Sequence, residues 1–216
     1  MSISIKHIGH TDYAKALNIQ EKTHQDILNG ASDSVIMCEH PHVFTFGKSA
    51  NKNNMLVDEN LLKKINATKH QIDRGGDITY HGPGQLVCYP IINLRKRGVG
   101  VKKYVEILEE SIINTLKQFN IEAYQINHLT GIWVGDKSQI PRKIGAIGIR
   151  IKQGISMHGF ALNINTNLDY FNYINPCGTK DKQVTSMNKE GVQCTLVEFS
   201  DKFLKNFLKS WQSTKE

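Results

Sequence analysis

No stretch of this chain approaches the roughly 20 consecutive apolar residues that span a bilayer. The N-terminus, Met1-Ser2-Ile3-Ser4-Ile5-Lys6-His7, has no apolar signal region with a small-residue cleavage site. Both absences predict a soluble cytoplasmic protein. Cysteine is scarce: Cys38, Cys88, Cys177 and Cys194 are spread through 216 residues with no CxxC pair. This argues against a disulfide framework and against a structural zinc site. Gly-Lys-Ser/Thr never follows a glycine-rich run at Walker A spacing, and GxGxxG does not occur. No internal repeat and no long linker interrupts the chain. The length and a globular balance of charged and apolar residues predict one domain, or one domain with a small lobe, over residues 1–216.

What is present includes a net charge of +7 with histidine neutral. It is either a lysine-rich solvated surface or an electrostatic field that steers an acidic partner, nucleic acid or an acidic carrier protein. Arg95, Lys96, Arg97, Lys102 and Lys103 form a modest basic cluster, but no RNA-binding motif accompanies it.

Periodicity predicts a strand at Ser2–His7 and an amphipathic helix from Thr11 to Asn29, with Tyr13, Leu17, Ile27 and Leu28 inward and Gly30 as its stop. Extended segments follow at Ser34–Cys38, Val43–Phe46 and Gln85–Leu94, with a short helix at Asp58–Ile65. Lys102–Phe119 is the clearest helix, with Val105, Leu108, Ile112, Leu116 and Phe119 at helical spacing. Gly131–Val134 is a strand. Lys143–Lys152 and Ile155–Asn165 read as a hairpin turning at Gln153-Gly154. Leu168–Tyr173 is a short turn or helix. Thr195-Leu196-Val197-Glu198 has capping-box spacing and opens a terminal helix with Phe203, Leu204, Phe207, Leu208 and Trp211 inward. Strands and helices mix without regular βαβ alternation, so the fold class is α+β rather than doubly wound.

The chemistry concentrates in Ile174-Asn175-Pro176-Cys177-Gly178. A free cysteine is commonly a buried core residue. Here Pro176 restricts the approach to Cys177, and Gly178 removes bulk beside the sulfur and the local amides. Cys38 and Cys88 lie in apolar strand-like runs and read as core. A lysine is commonly a solvated charge, but Lys143 opens the otherwise uncharged run Lys143–Ile149. An ammonium near a thiol favours the thiolate, and once neutral the amine can act as a base. The run Arg74-Gly75-Gly76-Asp77-Ile78-Thr79-Tyr80-His81-Gly82-Pro83-Gly84-Gln85 lets backbone pack closely against a ligand or a strand. Tyr80 and His81 either line an acyl pocket or, for His81, form a hydrogen-bonded core histidine. His158, beside Gly159 on a strand, has similar status. His40 and His42 around Pro41 are weak candidates for metal, and none is assigned.

The run from Arg74 to Tyr89 resembles the signature of the octanoyl-carrier-protein:protein octanoyltransferases, the lipoate–protein ligase B family. Glu39-His40-Pro41 with Val43-Phe44-Thr45, Lys143–Gly148, and Ser156–Asn163 leading to Asn175–Gly178 agree with it in order and spacing. The resemblance implies a single α+β catalytic domain of the kind shared by biotin and lipoate protein ligases, with a mixed, largely antiparallel sheet and flanking helices. It implies an ATP-independent acyltransferase without cofactor or metal. Octanoyl acyl carrier protein would be the donor. Apo lipoyl domains of 2-oxoacid dehydrogenase complexes and of the glycine cleavage H protein would be the acceptors, and the enzyme a monomer.

On this resemblance Cys177 carries the acyl group as a thioester and Lys143 is its dyad partner. Arg74, Gly75, Gly76, Asp77, Ile78, Thr79, Tyr80 and His81, with Ala146, Ile147, Gly148, Gly159, Phe160 and Ala161, form the substrate-binding segments. His158 is carried as a neighbour of the thioester carbonyl. Gly145 stands where the family more often has alanine, which bears on acyl length. The rivals are an ATP-dependent lipoate ligase, a basic RNA-binding module and a thioester hydrolase.

Overall fold

The computed structural model describes residues 2–136, 140–175 and 183–212. In chain order run β1 (Ile3–His10), α1 (Tyr13–Leu28), β2 (Asp33–Glu39), β3 (Val43–Phe46), α2 (Glu59–Lys64), β4 (Thr68–Gln71), β5 (Ile78–His81), β6 (Gln85–Ile91), α3 (Leu94–Arg97), α4 (Val101–Lys117), β7 (Ala123–Ile126), β8 (Leu129–Val134), β9 (Arg142–Lys152), β10 (Ile155–Asn163), β11 (Gln183–Val184) and α5 (Leu196–Gln212). Short 3-10 helices form at Lys52–Asn54 and Leu168–Tyr173.

Alternation along the strands builds two cores on one sheet. Successive side chains point to opposite faces. Val35 and Met37 of β2, with Leu86 and Cys88 of β6, join α4 and α5 through Leu108, Ile112, Phe199, Phe203, Phe207 and Trp211. Ile36, Cys38, Val87 and Tyr89, on the other face, join Ala16 and Ile27 of α1. The sheet order is β1-β2-β6-β10-β9-β8-β7, with β11 added to β9. Its pairs are antiparallel except β1 with β2 and β11 with β9. A small sheet, β4-β3-β5, packs with α2 around Phe44, Leu62, Ile78 and Tyr80. The α+β expectation holds.

The strongly periodic segments form as expected. In the hairpin turn Gln153 and Gly154 have φ +53° and +83°, which suits a two-residue turn between twisted strands. At α5 the Thr195 hydroxyl accepts from Glu198 N at 3.1 Å, and Glu198 Oε2 accepts from Thr195 N at 2.8 Å. This reciprocal cap satisfies two otherwise orphaned donors.

Two expectations change, and short strands form where none was expected. The strand expected to reach Leu94 ends at Ile91, because Asn93 Oδ1 accepts from Lys96 N and starts α3. Strands β4, β5 and β7 are short and carry no clear alternation. The basic cluster loses a member: Arg97 is buried against Asp33, Nε to Oδ2 at 2.6 Å, with its guanidinium 4.8 Å from the Trp211 ring centroid.

Candidate active site

A cavity of about 280 Å³ lies between the α1 side of the main sheet and the small sheet. Its floor is β9 and β10, through Gly145, Ala146, Ile147, Gly148, Gly159, Phe160 and Ala161. Its opposite wall is the glycine-rich segment and β5, through Arg74, Gly76, Asp77, Ile78, Thr79 and His81. Lys143 and His158 also line it.

Gly75 and Tyr80 do not line the cavity. Period-2 alternation on β5 turns Tyr80 to the far side. There its hydroxyl meets His42 Nδ1 at 2.7 Å, and its ring stacks on Tyr170 at 4.9 Å. His42 is thus part of an aromatic stack, its ring 4.1 Å from that of Tyr170. His40 donates from Nδ1 to Thr11 O at 2.5 Å and accepts at Nε2 from the Tyr89 hydroxyl at 2.7 Å. Among the described residues no His/Cys/Asp/Glu group could hold a metal ion.

The wall is braced by a buried polar chain. Arg74 Nη2 donates to Thr45 O and Oγ1 at 2.7 and 3.0 Å. Thr45 Oγ1 lies 3.4 Å from His81 Nε2, and His81 Nδ1 donates to Gln85 Oε1 at 2.8 Å. Gln85 Nε2 donates to Asn163 Oδ1 at 2.9 Å, and Asn163 Nδ2 donates to Thr185 O at 2.9 Å. His81 is therefore both a hydrogen-bonded buried histidine and a cavity residue. Burial holds it neutral by pushing its pKa down to about 3. A Cβ at Gly148 would meet Arg74 Cδ at 2.9 Å, so the glycine gives the arginine stem its path.

Lys143 stands at the start of β9, opposite Trp133 on β8. Its Nζ donates to Thr130 O at 3.1 Å and lies 5.1 Å from the Trp133 ring centroid. Gly131, at φ +134°, makes this pose possible: a Cβ there would lie 2.5 Å from Lys143 Cε and 2.8 Å from Gly145 O. A Cβ at Gly145 would meet Leu162 and Ile132 at 3.2 and 3.3 Å, toward the core.

His158 has φ +56° inside a strand, a strained conformation for a residue with a Cβ. Its Nε2 lies 3.0 Å from Asp73 Oδ1. A carboxylate only accepts, so the neutral ring carries its proton on Nε2 and leaves Nδ1 as an acceptor. Nδ1 has no partner among the described residues. Burial, then the Arg74 and Arg150 guanidiniums, push the pKa down to about 4. His158 pairs with Ile149, and Lys143 to Ile149 is about 20 Å along a strand. Register thus sets His158 beside Ile149, toward the other end of β9 from Lys143.

Cys177 lies outside the described residues, but both flanks of its segment are described. On the N-terminal side Asn175 N donates to Asn54 O at 2.8 Å and Met55 bridges Ile174. Asn54 Nδ2 in turn donates to Asp77 Oδ2 at 2.5 Å, on the cavity wall. On the C-terminal side β11 pairs Val184 with Lys143. Cys38, Cys88 and Cys194 are free and buried. Burial pushes each of their thiols up, away from the thiolate.

Sequence reasoning missed Gly131, Asp73 and the polar chain through Thr45 and Asn163. Nothing in the run Thr130-Gly131-Ile132-Trp133 marks Gly131 as the cradle of a lysine. No helix among the described residues is long and apolar enough to cross a membrane.

A family model described as the lipoyl protein ligase A/B catalytic domain matches residues 12–208. An octanoyltransferase from Bacteroides fragilis is 53% identical over 164 residues, 75% of this chain and 74% of that protein. One from Solibacter usitatus is 46% identical over 206 residues, 94% and 90% of the two chains. A bi-partite lipoate protein ligase from Thermoplasma acidophilum shares the fold at 14% identity and TM-score 0.75, covering 98% of this chain and 84% of that one. The chain thus belongs to the lipoyl protein ligase A/B catalytic domain family and, within it, to the octanoyltransferases.

Proposed function

We propose that this enzyme moves an octanoyl group from octanoyl acyl carrier protein to a lysine of an apo lipoyl domain, through a thioester on Cys177. In the first step the Cys177 thiolate attacks the carrier thioester. A new S–C bond forms, the pantetheine S–C bond breaks, and the departing thiolate takes the proton given up by Cys177. In the second step the acceptor lysine amine attacks. An amide forms, Cys177 leaves as thiolate, and the amine's proton passes to solvent through Lys143. Exchange between thioesters is nearly balanced and the amide is more stable, so the sequence runs without ATP, cofactor or metal.

Lys143 supplies the positive charge that lowers the Cys177 pKa. The floor Ala146–Gly148 and Gly159–Ala161, facing Arg74 and Gly76–Thr79, receives the straight acyl chain. Gly75 ties that wall to β9 through its N on Ile149 O at 2.9 Å, and Tyr80 supports it from behind. His81 and His158 stay neutral, so the buried part of the cavity presents dipoles, with Arg74 its guanidinium. The +7 chain suits an acidic carrier protein in the cytoplasm.

The observation that carries this reading is the fastening of both flanks of the Cys177 segment to the cavity rim, one of them on Lys143 itself. The test is transfer from octanoyl acyl carrier protein to an apo lipoyl domain, followed by the mass of the domain. Octanoylation without ATP supports it. Octanoylation only with ATP and free octanoate would show an adenylating ligase, and release of free octanoate a hydrolase.

A further inference from the structure

Glu190 lies outside every segment assigned to substrate or chemistry, yet it closes a tight polar clamp beside Lys143. Arg142 Nε and Nη2 donate to Glu190 Oε1 and Oε2 at 2.9 and 2.8 Å, a two-pronged ion pair. Thr185 Oγ1 donates to Glu190 Oε1 at 2.6 Å. Thr185 is held from two more sides: its N donates to Lys143 O at 2.9 Å, and its O accepts from Asn163 Nδ2 at 2.9 Å. Gln183 and Val184, just before it, pair with Arg142 and Lys143. This strand pair is only two residues long. So short a ladder has little stability of its own, and the clamp supplies the rest. Planar, two-pronged pairing also fixes direction in a way a point charge does not.

We infer that Glu190 is a positioning residue: through Arg142 and Thr185 it fixes the returning chain against β9 and so sets Lys143 relative to the segment bearing Cys177. The inference rests on the Cys177–Lys143 reading above. Glu190 touches no substrate. Its action is on the distance and orientation of the pair. A misplacement of about 1 Å from outside the reacting atoms costs on the order of a hundred-fold in rate.

The test is the pH profile of Cys177 alkylation by iodoacetamide in the full chain, read by peptide mass mapping to separate it from the three buried cysteines. Wild type, Lys143→Met, Glu190→Gln and Thr185→Val are compared, with thermal melts of each. Glu190→Gln keeps the shape and removes the charge. Thr185→Val removes only the hydroxyl bond and guards against a Glu190 variant that does not fold. The expected result is a Glu190→Gln profile moved up by about one pH unit, in the direction of Lys143→Met. A smaller shift in the same direction is expected for Thr185→Val. Turnover of octanoyl acyl carrier protein should fall through kcat with KM little changed. The double variant Arg142→Glu/Glu190→Arg should recover part of the loss. A shifted Lys143→Met profile with Glu190→Gln and Thr185→Val both at wild type overturns the positioning role alone. A Lys143→Met profile identical to wild type overturns the dyad and this inference with it.

Discussion

Replacing Gly131 with alanine tests whether the lysine pose is built by its cradle. At φ +134° an alanine is strained wherever there is space. Here there is none: the new Cβ would stand 2.5 Å from Lys143 Cε, 3.0 Å from its Nζ and 2.8 Å from Gly145 O. The lysine stem can swing away, but the carbonyl is backbone and holds β8 against β9. Strain of this kind costs about 1–3 kcal/mol. For a chain of this size that is a Tm loss of roughly 2–12 °C. The lysine must also leave Thr130 O and the Trp133 face, so single-turnover acylation should fall on the order of a hundred-fold. Gly98→Ala is the control. Its φ is +69° and a Cβ there meets nothing within 4 Å, so it should cost about 1–2 kcal/mol and leave acylation unchanged. A folded Gly131→Ala enzyme that acylates at the wild-type rate would refute the reasoning.

Arg97→Met should lower stability by about 3–5 kcal/mol, because it leaves Asp33 buried without its cation; a chemical denaturation loss under about 1 kcal/mol would show that the pair contributes little. Stability should also fall between about pH 6.5 and pH 4. His81 and His158 are held at about 3 and about 4 against an ordinary 6.5, so the unfolded chain binds protons there that the fold excludes. Above pH 6.5 both states are neutral and the effect vanishes. Melts should show Tm dropping from pH 7 to pH 5, and a flat profile would contradict the buried neutral rings. His158→Asn should keep the fold and soften that acid slope, since asparagine tolerates the left-handed backbone; a His158→Asn protein as acid-sensitive as wild type would assign the slope elsewhere.

The long amphipathic helices and the hairpin were legible because their patterns run over many residues. In α4 the spacing of Leu108, Ile112 and Leu116 left one reading, and all three are fully buried. Strands β4, β5 and β7 have four residues each, too few for alternation to show. The inner face of α1 was legible at Tyr13 and Ile27 but not between them, where it is polar at Gln20, Thr23 and His24. Gln20 Oε1 accepts from the strained His158 N at 2.9 Å, and His24 Nε2 donates to Lys152 O at 3.0 Å. Those backbone groups lie where β10 pairs with β9 but not yet with β6, so polar side chains complete what the ladder leaves open. Of the candidate site, segment membership was readable and side-chain direction was not. Tyr80 and His81 are neighbours in one motif, yet the pleat sends only His81 to the cavity. Glu190 and Gly131 carried no signal, since a salt-bridge partner or a cradle is defined by what folds against it.

The most direct measurement is intact-protein mass spectrometry after mixing the enzyme with octanoyl acyl carrier protein in the absence of ATP, beside Cys177→Ala. An octanoyl adduct should form on the native enzyme, be absent from the folded variant and be discharged by an apo lipoyl domain. An adduct of equal yield on Cys177→Ala, or transfer by that variant at the native rate, would contradict the thioester on Cys177.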